Sequence, residues 1–316
     1  MARATRIFYA SDIHGSERCF LKFLNAGKFY KVDVLIMGGD ITGKVVVPII
    51  PEGSVHEAHF LGQTHRAGTE DELEQLEKAV RFNGFYPARM TREEYDAVKG
   101  DETAKDALFH RLVGASLRRW VDIAEERLSG LGIRCLINPG NDDEWIVDDI
   151  LGQSGYVENR DGSVVDLDDD HEMITVGYSN TTPFDSPREM PEERLEKHIY
   201  GLAKKLRRPR GAVFTLHAPP FGSGLDSAPL LRDREVVTRG GHTVMAPVGS
   251  RAVRTVIEDV QPLLGLHGHV HESRGVKKLG RTLCLNPGSE YSEGILHGAL
   301  ITLARDKVAG YQLVTA

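Results

Sequence analysis

Cysteine is scarce in this chain, and long apolar runs are missing. Cys19, Cys135 and Cys284 are odd in number and widely spaced, so they support neither a disulfide framework nor a CxxC zinc site, and buried free thiols are expected. No apolar stretch approaches the roughly 18 to 20 residues of a membrane span. The string MARATRIFYAS runs into a strand pattern without the apolar core of a signal peptide, which predicts a cytoplasmic protein with no membrane partner. A long basic run is absent too. With a formal net charge of -7, affinity built on neutralising nucleic-acid phosphates is not expected, although a local positive groove stays open. Internal repeats and low-complexity tracts are also lacking.

What is present is 41% hydrophobic residues in a chain of 316, ample for a sizeable core. Apolar runs of strand length, rich in Ile, Val, Leu and Phe, fall at 5–10, 33–37, 133–137, 173–178, 212–217, 263–267, 281–285 and 298–303. Helical patterns at 17–27, 188–206 and 249–260 lie between several of them, and the stretch after 264 reads as strands joined by short turns. The expectation is an α/β sandwich whose ligands sit outside the carboxyl ends of the strands.

The segment 44–130 interrupts this alternation. A hairpin-like piece (KVVVPII, then EAHFLGQ) leads into a helix with a Thr69/Glu72 capping box, stopped at Asn83-Gly84. A second helix opens at Thr91. Leu108, Leu112, Leu117, Trp120, Ile123 and Leu128 share one side of a long amphipathic helix over 103–129. The chain is therefore read as one domain, 1–316, with a mainly helical insertion at 44–130 that serves either as a cap or as a dimerisation surface of a homo-oligomer.

The chemistry gathers where strands should end. Asp12 and His14 stand in YASDIHGS, Asp40 in LIMGGDITG, Asn141 in INPGNDDE, His217 in FTLHAPP, and His269 and His271 in LGLHGHVHE. Alternate residues of extended chain point the same way, so Asp12 with His14, and His269 with His271, can each converge on one side. Hard carboxylate oxygens and borderline imidazole nitrogens recurring at strand ends point to divalent metal chemistry. His267 stays open between a donor behind the ligands, a substrate contact and a satisfied core histidine. The HEAHF string is not HExxH, and His56, His59 and His65 read as surface residues; GSGLDS at 222–227 reads as a flexible loop following His217.

Taken together, Asp12/His14, Gly39/Asp40, Gly140 to Asp143, His217 and Gly268 to His271 resemble the D-x-H, G-D, G-N-[HDC]-[DE], H and G-H-x-H pattern of the calcineurin-like metallophosphoesterase superfamily. The Asn286-Pro-Gly-Ser289 turn looks like that family as well. The resemblance implies a four-layer α/β/β/α sandwich of two mixed sheets. It implies two divalent cations (Mn, Fe or Zn): one held by Asp12, His14, Asp40 and His271, the other by Asp40, Asn141, His217 and His269, with Asp40 between them. Asp143 would orient a ligating imidazole. Such a centre lowers the pKa of a water between the cations and stabilises charge in phosphoester cleavage.

One place departs from the pattern. Many relatives read GNH where this chain has Asp142, and an ionised carboxylate there would repel phosphate unless it is protonated, turned away or bound to a cation. His171 or His267 could then stand in as proton donor. GGDITG lacks the GDxVDR continuation of protein phosphatases. The nearest resemblance is to Icc-related phosphoesterases, which implies a phosphodiesterase acting on a nucleotide-like small molecule, with Asp40, Asn141, Asp142 and His217 as its catalytic residues. A non-catalytic metal-binding scaffold and a nuclease remain the alternatives.

Overall fold

The computed structural model describes residues 4–232 and 235–316, so the first three residues of MARATRIFYAS lie outside the described residues. The apolar runs form the strands Thr5–Ala10, Val34–Met37, Arg134–Ile137, Glu172–Val176, Val213–Leu216, Leu264–Leu266, Thr282–Asn286 and His297–Ala304. Several are apolar throughout because both faces are covered, as expected of parallel strands. One six-stranded sheet runs in the order 307–315, 297–304, 5–10, 34–37, 134–137, 157–158. Pairing is parallel from Thr5–Ala10 onward, with Ala10 opposite Met37 and Met37 opposite Ile137, while the two C-terminal strands are antiparallel. A second six-stranded sheet has four central parallel strands, 172–176, 213–216, 264–266 and 282–286, and antiparallel edges.

Three clusters bury this mixed α/β architecture. Ile7, Ile36 and Leu136 of the first sheet meet Met173, Leu264 and Leu285 of the second. Phe20 and Phe23 of helix Glu17–Phe29 pack with Trp120 and Leu128 of helix Glu102–Leu128 and Ile150 of helix Ile146–Gly152. Leu195 and Ile199 of helix Glu192–Ala203 join Val253 and Ile257 of helix Arg251–Val260 against the second sheet. Among the described residues no helix is long and apolar enough to cross a membrane. All three cysteines are free and buried.

Between 44 and 130 lie more strands than the single hairpin expected. Val46–Glu52, Val55–Phe60, Gln63–Ala67 and Tyr86–Arg89 make a small sheet, capped by helix Glu70–Phe82 over Val47, Ile49, Leu73 and Val80. Thr69 and Glu72 form the capping box, and Thr91 with Glu94 forms another ahead of helix Arg92–Lys99. The long helix enters the main core. Leu117, Trp120 and Leu128 are buried there, and the Trp120 ring stacks on Phe20 with centroids 4.3 Å apart at 6°. Such a pair adds about 0.5–1.5 kcal/mol beyond its burial.

Candidate metal centre

The parallel strands of both sheets release their loops on one side, and the loops carry the site. His14 Nε2 stands 3.1 Å from His271 Nε2 and 3.8 Å from Asp40 Oδ2. Asp12 Oδ1 lies 3.5 Å from His271 Nε2. On the other side His217 Nε2 is 3.3 Å from Asp40 Oδ2, and Asn141 Oδ1 meets His269 Nδ1 at 2.7 Å. Two separate groups result, Asp12, His14 and His271, and Asp40, His217 and His269, and a third, His14, Asp40 and Asp142, overlaps both, each with its ligand atoms within 4.8 Å of one another. Every residue expected to hold a metal is thus brought into one pocket.

The backbone does this differently from the extended geometry expected of D-x-H and H-x-H. Asp12 (φ 58°), His14 (φ 39°), Asp40 (φ 50°) and His269 (φ 66°) all occupy the left-handed region. Non-glycine residues rarely do so, and each such position costs of order 1–3 kcal/mol unless its surroundings enforce it. Here they do. The amide of Asp12 donates to Gly39 O at 2.9 Å, that of His14 to Asp40 O at 3.0 Å, and that of His269 to Asp12 Oδ1 at 2.9 Å. Tight turns, not strand alternation, therefore aim the side chains, and His269 and His271 face different groups. Gly268 is needed because a Cβ there would sit 2.3 Å from Asp12 Oδ2. Asn286 Nδ2 holds the same loop through Val270 O at 2.9 Å, and Ser289 Oγ donates to Asp12 O at 2.6 Å.

Burial opposes charge on every group here, yet His217, then His14 and His269, hold the Asp40 carboxyl far below the usual carboxylate range. Asp40 in turn outweighs burial at His217 and pushes it up to about 10. Burial, then the charge of His217, lowers His269 to about 4. A cation fits this set. His217 Nδ1 lies 3.1 Å from Gly38 O, which a protonated Nδ1 satisfies, so a cation at Nε2 would take the place of the proton that Asp40 favours there. That Nε2 is fully buried and makes no hydrogen bond, its nearest charge being Asp40 Oδ2 at 3.3 Å.

Several expectations about neighbouring residues need correction. Asp143 orients no imidazole: its carboxylate accepts from the amides of Ile41 (3.0 Å), Thr42 (2.8 Å) and Gly140 (2.8 Å), so it fixes the Asp40 loop against the Asn141 loop. Burial, then Asp40, raises it to about 6. His267 is a core histidine, its Nδ1 2.8 Å from Leu216 O, and burial lowers it to about 4. His171 lies at the opposite ends of the strands, between Asp168 and Ala304 O. Neither reaches a substrate at the centre. In GSGLDS, buried Asp226 accepts from the amides of Gly222 (2.7 Å) and Gly224 (3.1 Å), so the loop is a tied turn. His59 is exposed on Thr64 Oγ1, and half-buried His65 stacks on Phe60.

Asp142 is bound to a cation. Its Oδ2 contacts Lys44 Nζ, and Oδ1 accepts from Ser186 Oγ at 2.6 Å. Nothing in the sequence pattern marks Lys44, Ser186, Tyr291 or Arg188. The Tyr291 ring lies 4.7 Å from His14 and 5.9 Å from His271. Arg188 is the largest fully buried side chain; it donates from Nε to Asp143 O at 2.8 Å, pairs with Asp148 and lies over Trp145 at 4.3 Å. Such roles rest mostly on contacts between loops forty or more residues apart, which no local spacing encodes.

No protein-family model matches the chain. Over 168 residues it is 30% identical to the uncharacterized protein MJ1162 of Methanocaldococcus jannaschii, a match that takes in 51% of the chain and 68% of that relative. The fold is shared with TT1561 of Thermus thermophilus, at 13% identity, a TM-score of 0.56 and 99% of both chains. Another solved structure superposes with a TM-score of 0.57 at 16% identity, again over 99% of both chains. Motif order and the pocket those motifs build agree with the resemblance read from the sequence, and the chain belongs to one family with MJ1162.

Proposed function

We propose that this chain is a phosphodiesterase that depends on two divalent cations and hydrolyses a nucleotide-like small molecule. The observation that carries the reading is the pair of ligand groups meeting around Asp40, one of them holding the buried His217 Nε2 3.3 Å from Asp40 Oδ2. Carboxylate oxygens with imidazole nitrogens suit Mn, Fe or Zn. Bound there, the cations would supply Lewis-acid charge to the phosphoryl oxygens and a water of lowered pKa.

The protein's own groups set the geometry. Asp12, His14 and His271 would hold one cation, and Asn141, His217 and His269 the other, while Asp40 faces both sides through Oδ2, 3.8 Å from His14 and 3.3 Å from His217. Gly38 O and Asp143 keep the ring of His217 and the Asp40 loop in place. Asp142, the residue that spoke for a non-catalytic scaffold, is paired with Lys44 and does not face the substrate bare.

The cavity beside the centre favours a small molecule over a nucleic acid. About 580 Å³ opens next to His269 and His271, walled by Pro183, Phe184, Pro229 and Leu230. Among the described residues its lining holds no lysine or arginine, and Glu272 belongs to it. An uncharged organic ester group of nucleoside size fits such a pocket.

The four-layer α/β/β/α reading of the fold is supported by the three core clusters, one between the sheets and one under the helices on each outer side. We read 44–130 as an insertion within a single domain, its small sheet beside the site and its long helix in the main core. The test is turnover of bis-p-nitrophenyl phosphate by protein stripped of metal and reloaded, with metal content measured. Two equivalents of metal and release of p-nitrophenol are expected. Bound metal without turnover in Mn, Fe and Zn would overturn the proposal.

A further inference from the structure

Asp142 places a carboxylate at the mouth of the metal centre, with an oxygen within 4.8 Å of ligand atoms on His14 and Asp40. A phosphoester brings negative charge to the same place, so an unmet carboxylate there would repel it. Its charge is met by Lys44, which follows the Asp40 loop and touches Oδ2. The root of Lys44 is fixed, because the Gly43 amide donates to the Tyr86 hydroxyl at 2.8 Å and Thr42 is held by Asp143.

The two partners are not anchored alike. Asp142 keeps Ser186 Oγ at 2.6 Å and Asn141 Nδ2 at 3.2 Å on Oδ1, and its amide donates to Asp40 Oδ1 at 2.9 Å. Lys44 has Asp142 as its only ion-pair partner among the described residues, and its side chain is 57% exposed. The cation is therefore presented by a tethered carboxylate at the centre, while more than half of the lysine side chain stays open to solvent.

We propose that Lys44 is a substrate-contacting residue, its ammonium shared between Asp142 and a non-bridging phosphate oxygen of the bound ester. Asp142, held by Ser186, is the positioning residue that aims it. An ammonium has three donors on a compact point charge, enough to serve a carboxylate and a phosphate oxygen together. Lys44 acts as a fixed charge and gives up no proton. This rests on the phosphoesterase reading above.

Lys44→Ala, Lys44→Arg, Asp142→Asn and the Lys44→Ala/Asp142→Asn double variant test it in the Mn-loaded protein. Affinity for inorganic phosphate is measured by calorimetry, kcat/KM with bis-p-nitrophenyl phosphate, and metal content by elemental analysis. Lys44→Ala should weaken phosphate binding and kcat/KM by about 10- to 100-fold at unchanged metal content, the range of one charged hydrogen bond, with Lys44→Arg recovering most of it. In the Asp142→Asn background, removing Lys44 should still cost about tenfold. A loss below about twofold there means that the lysine only screens Asp142, and the proposal falls. It falls equally if Lys44→Ala sheds metal, or if the unaltered protein binds no phosphate. Phosphate binding that depends on Lys44 without any ester turnover supports the contact and sinks the phosphoesterase reading instead.

Discussion

At the amino ends of the strands His171 points Nδ1 at Asp168, 2.8 Å away, and Nε2 at Ala304 O, 3.2 Å away. Asp168 also accepts from the amides of Asp170 (2.8 Å) and His171 (2.7 Å) and from the Thr5 hydroxyl. At the carboxyl ends His217 is equally buried beside Asp40, but its Nε2 has no hydrogen-bond partner, and the His14 and His271 nitrogens face each other at 3.1 Å. Both ends bury histidine against aspartate. Only the second leaves a buried ring nitrogen without a hydrogen bond, and four residues of its cluster, Asp12, His14, Asp40 and His269, take left-handed backbone. A His–Asp contact therefore marks no site by itself; a cluster whose own hydrogen bonds cannot close does.

The sharpest way to break that comparison is Asp40→Asn, which removes the charge facing both His14 and His217. Turnover should fall at least about a thousandfold and bound metal below two equivalents, as expected when both cations lose their common ligand. His171→Gln, its counterpart at the far end, should leave turnover within about twofold. Near-normal rates in Asp40→Asn would contradict the shared role.

Arg188→Ala probes what holds the strained end together. The buried guanidinium serves the carbonyls of Asp143 and Glu144 and pairs with Asp148. Removing it should cost about 2–3 kcal/mol in urea unfolding, from carbonyls left without their donor, with the Asp148 pair discounted because that carboxylate is 36% exposed. A loss under about 1 kcal/mol, typical of a surface pair, would show that the loop stands without it.

Metal itself should separate the two ends next. At a hundredfold excess over Kd, Mn should add about 2.7 kcal/mol and raise Tm by roughly 5 °C. His217→Ala should abolish the shift and His171→Gln preserve it in thermal melts. An equal shift in His217→Ala would place the ion elsewhere.

The ligand set was legible because its members follow apolar runs that can only be buried strands: LIMGGD ends at Met37 and TLH at Leu216, within three residues of Asp40 and His217. The manner of convergence was not. Spacing in D-x-H suggests extended chain, whereas Asp12 and His14 sit in a turn whose amides donate to carbonyls of the 39–41 loop. Asp143 was legible as important but not as a carboxylate for backbone amides, because its partners come from a loop about a hundred residues away. Lys44 and Arg188 carried no signal for the same reason. The cytoplasmic and oligomeric expectations concern surroundings that the fold does not encode.

The smallest effect belongs to the satisfied end and should depend on pH in a defined direction. Burial, then Asp168, acts on His171, and Asp168 wins, so the folded pKa lies above the ordinary value. That contribution is complete below the unfolded value of about 6.5 and is lost as pH rises through the folded one. Asp168, partly buried but bonded to His171 and Thr5, is held well below the usual carboxylate range, so its share is complete above about 3.9 and is lost as pH falls. The pair should therefore stabilise most between about pH 4 and 6.5. His171→Gln should cost about 1 kcal/mol there, discounted for the partial exposure of Asp168, and less by pH 8. Urea midpoints across that range provide the measurement; a gap between the two proteins that widens above pH 7 would mean that His171 is neutral in the folded chain.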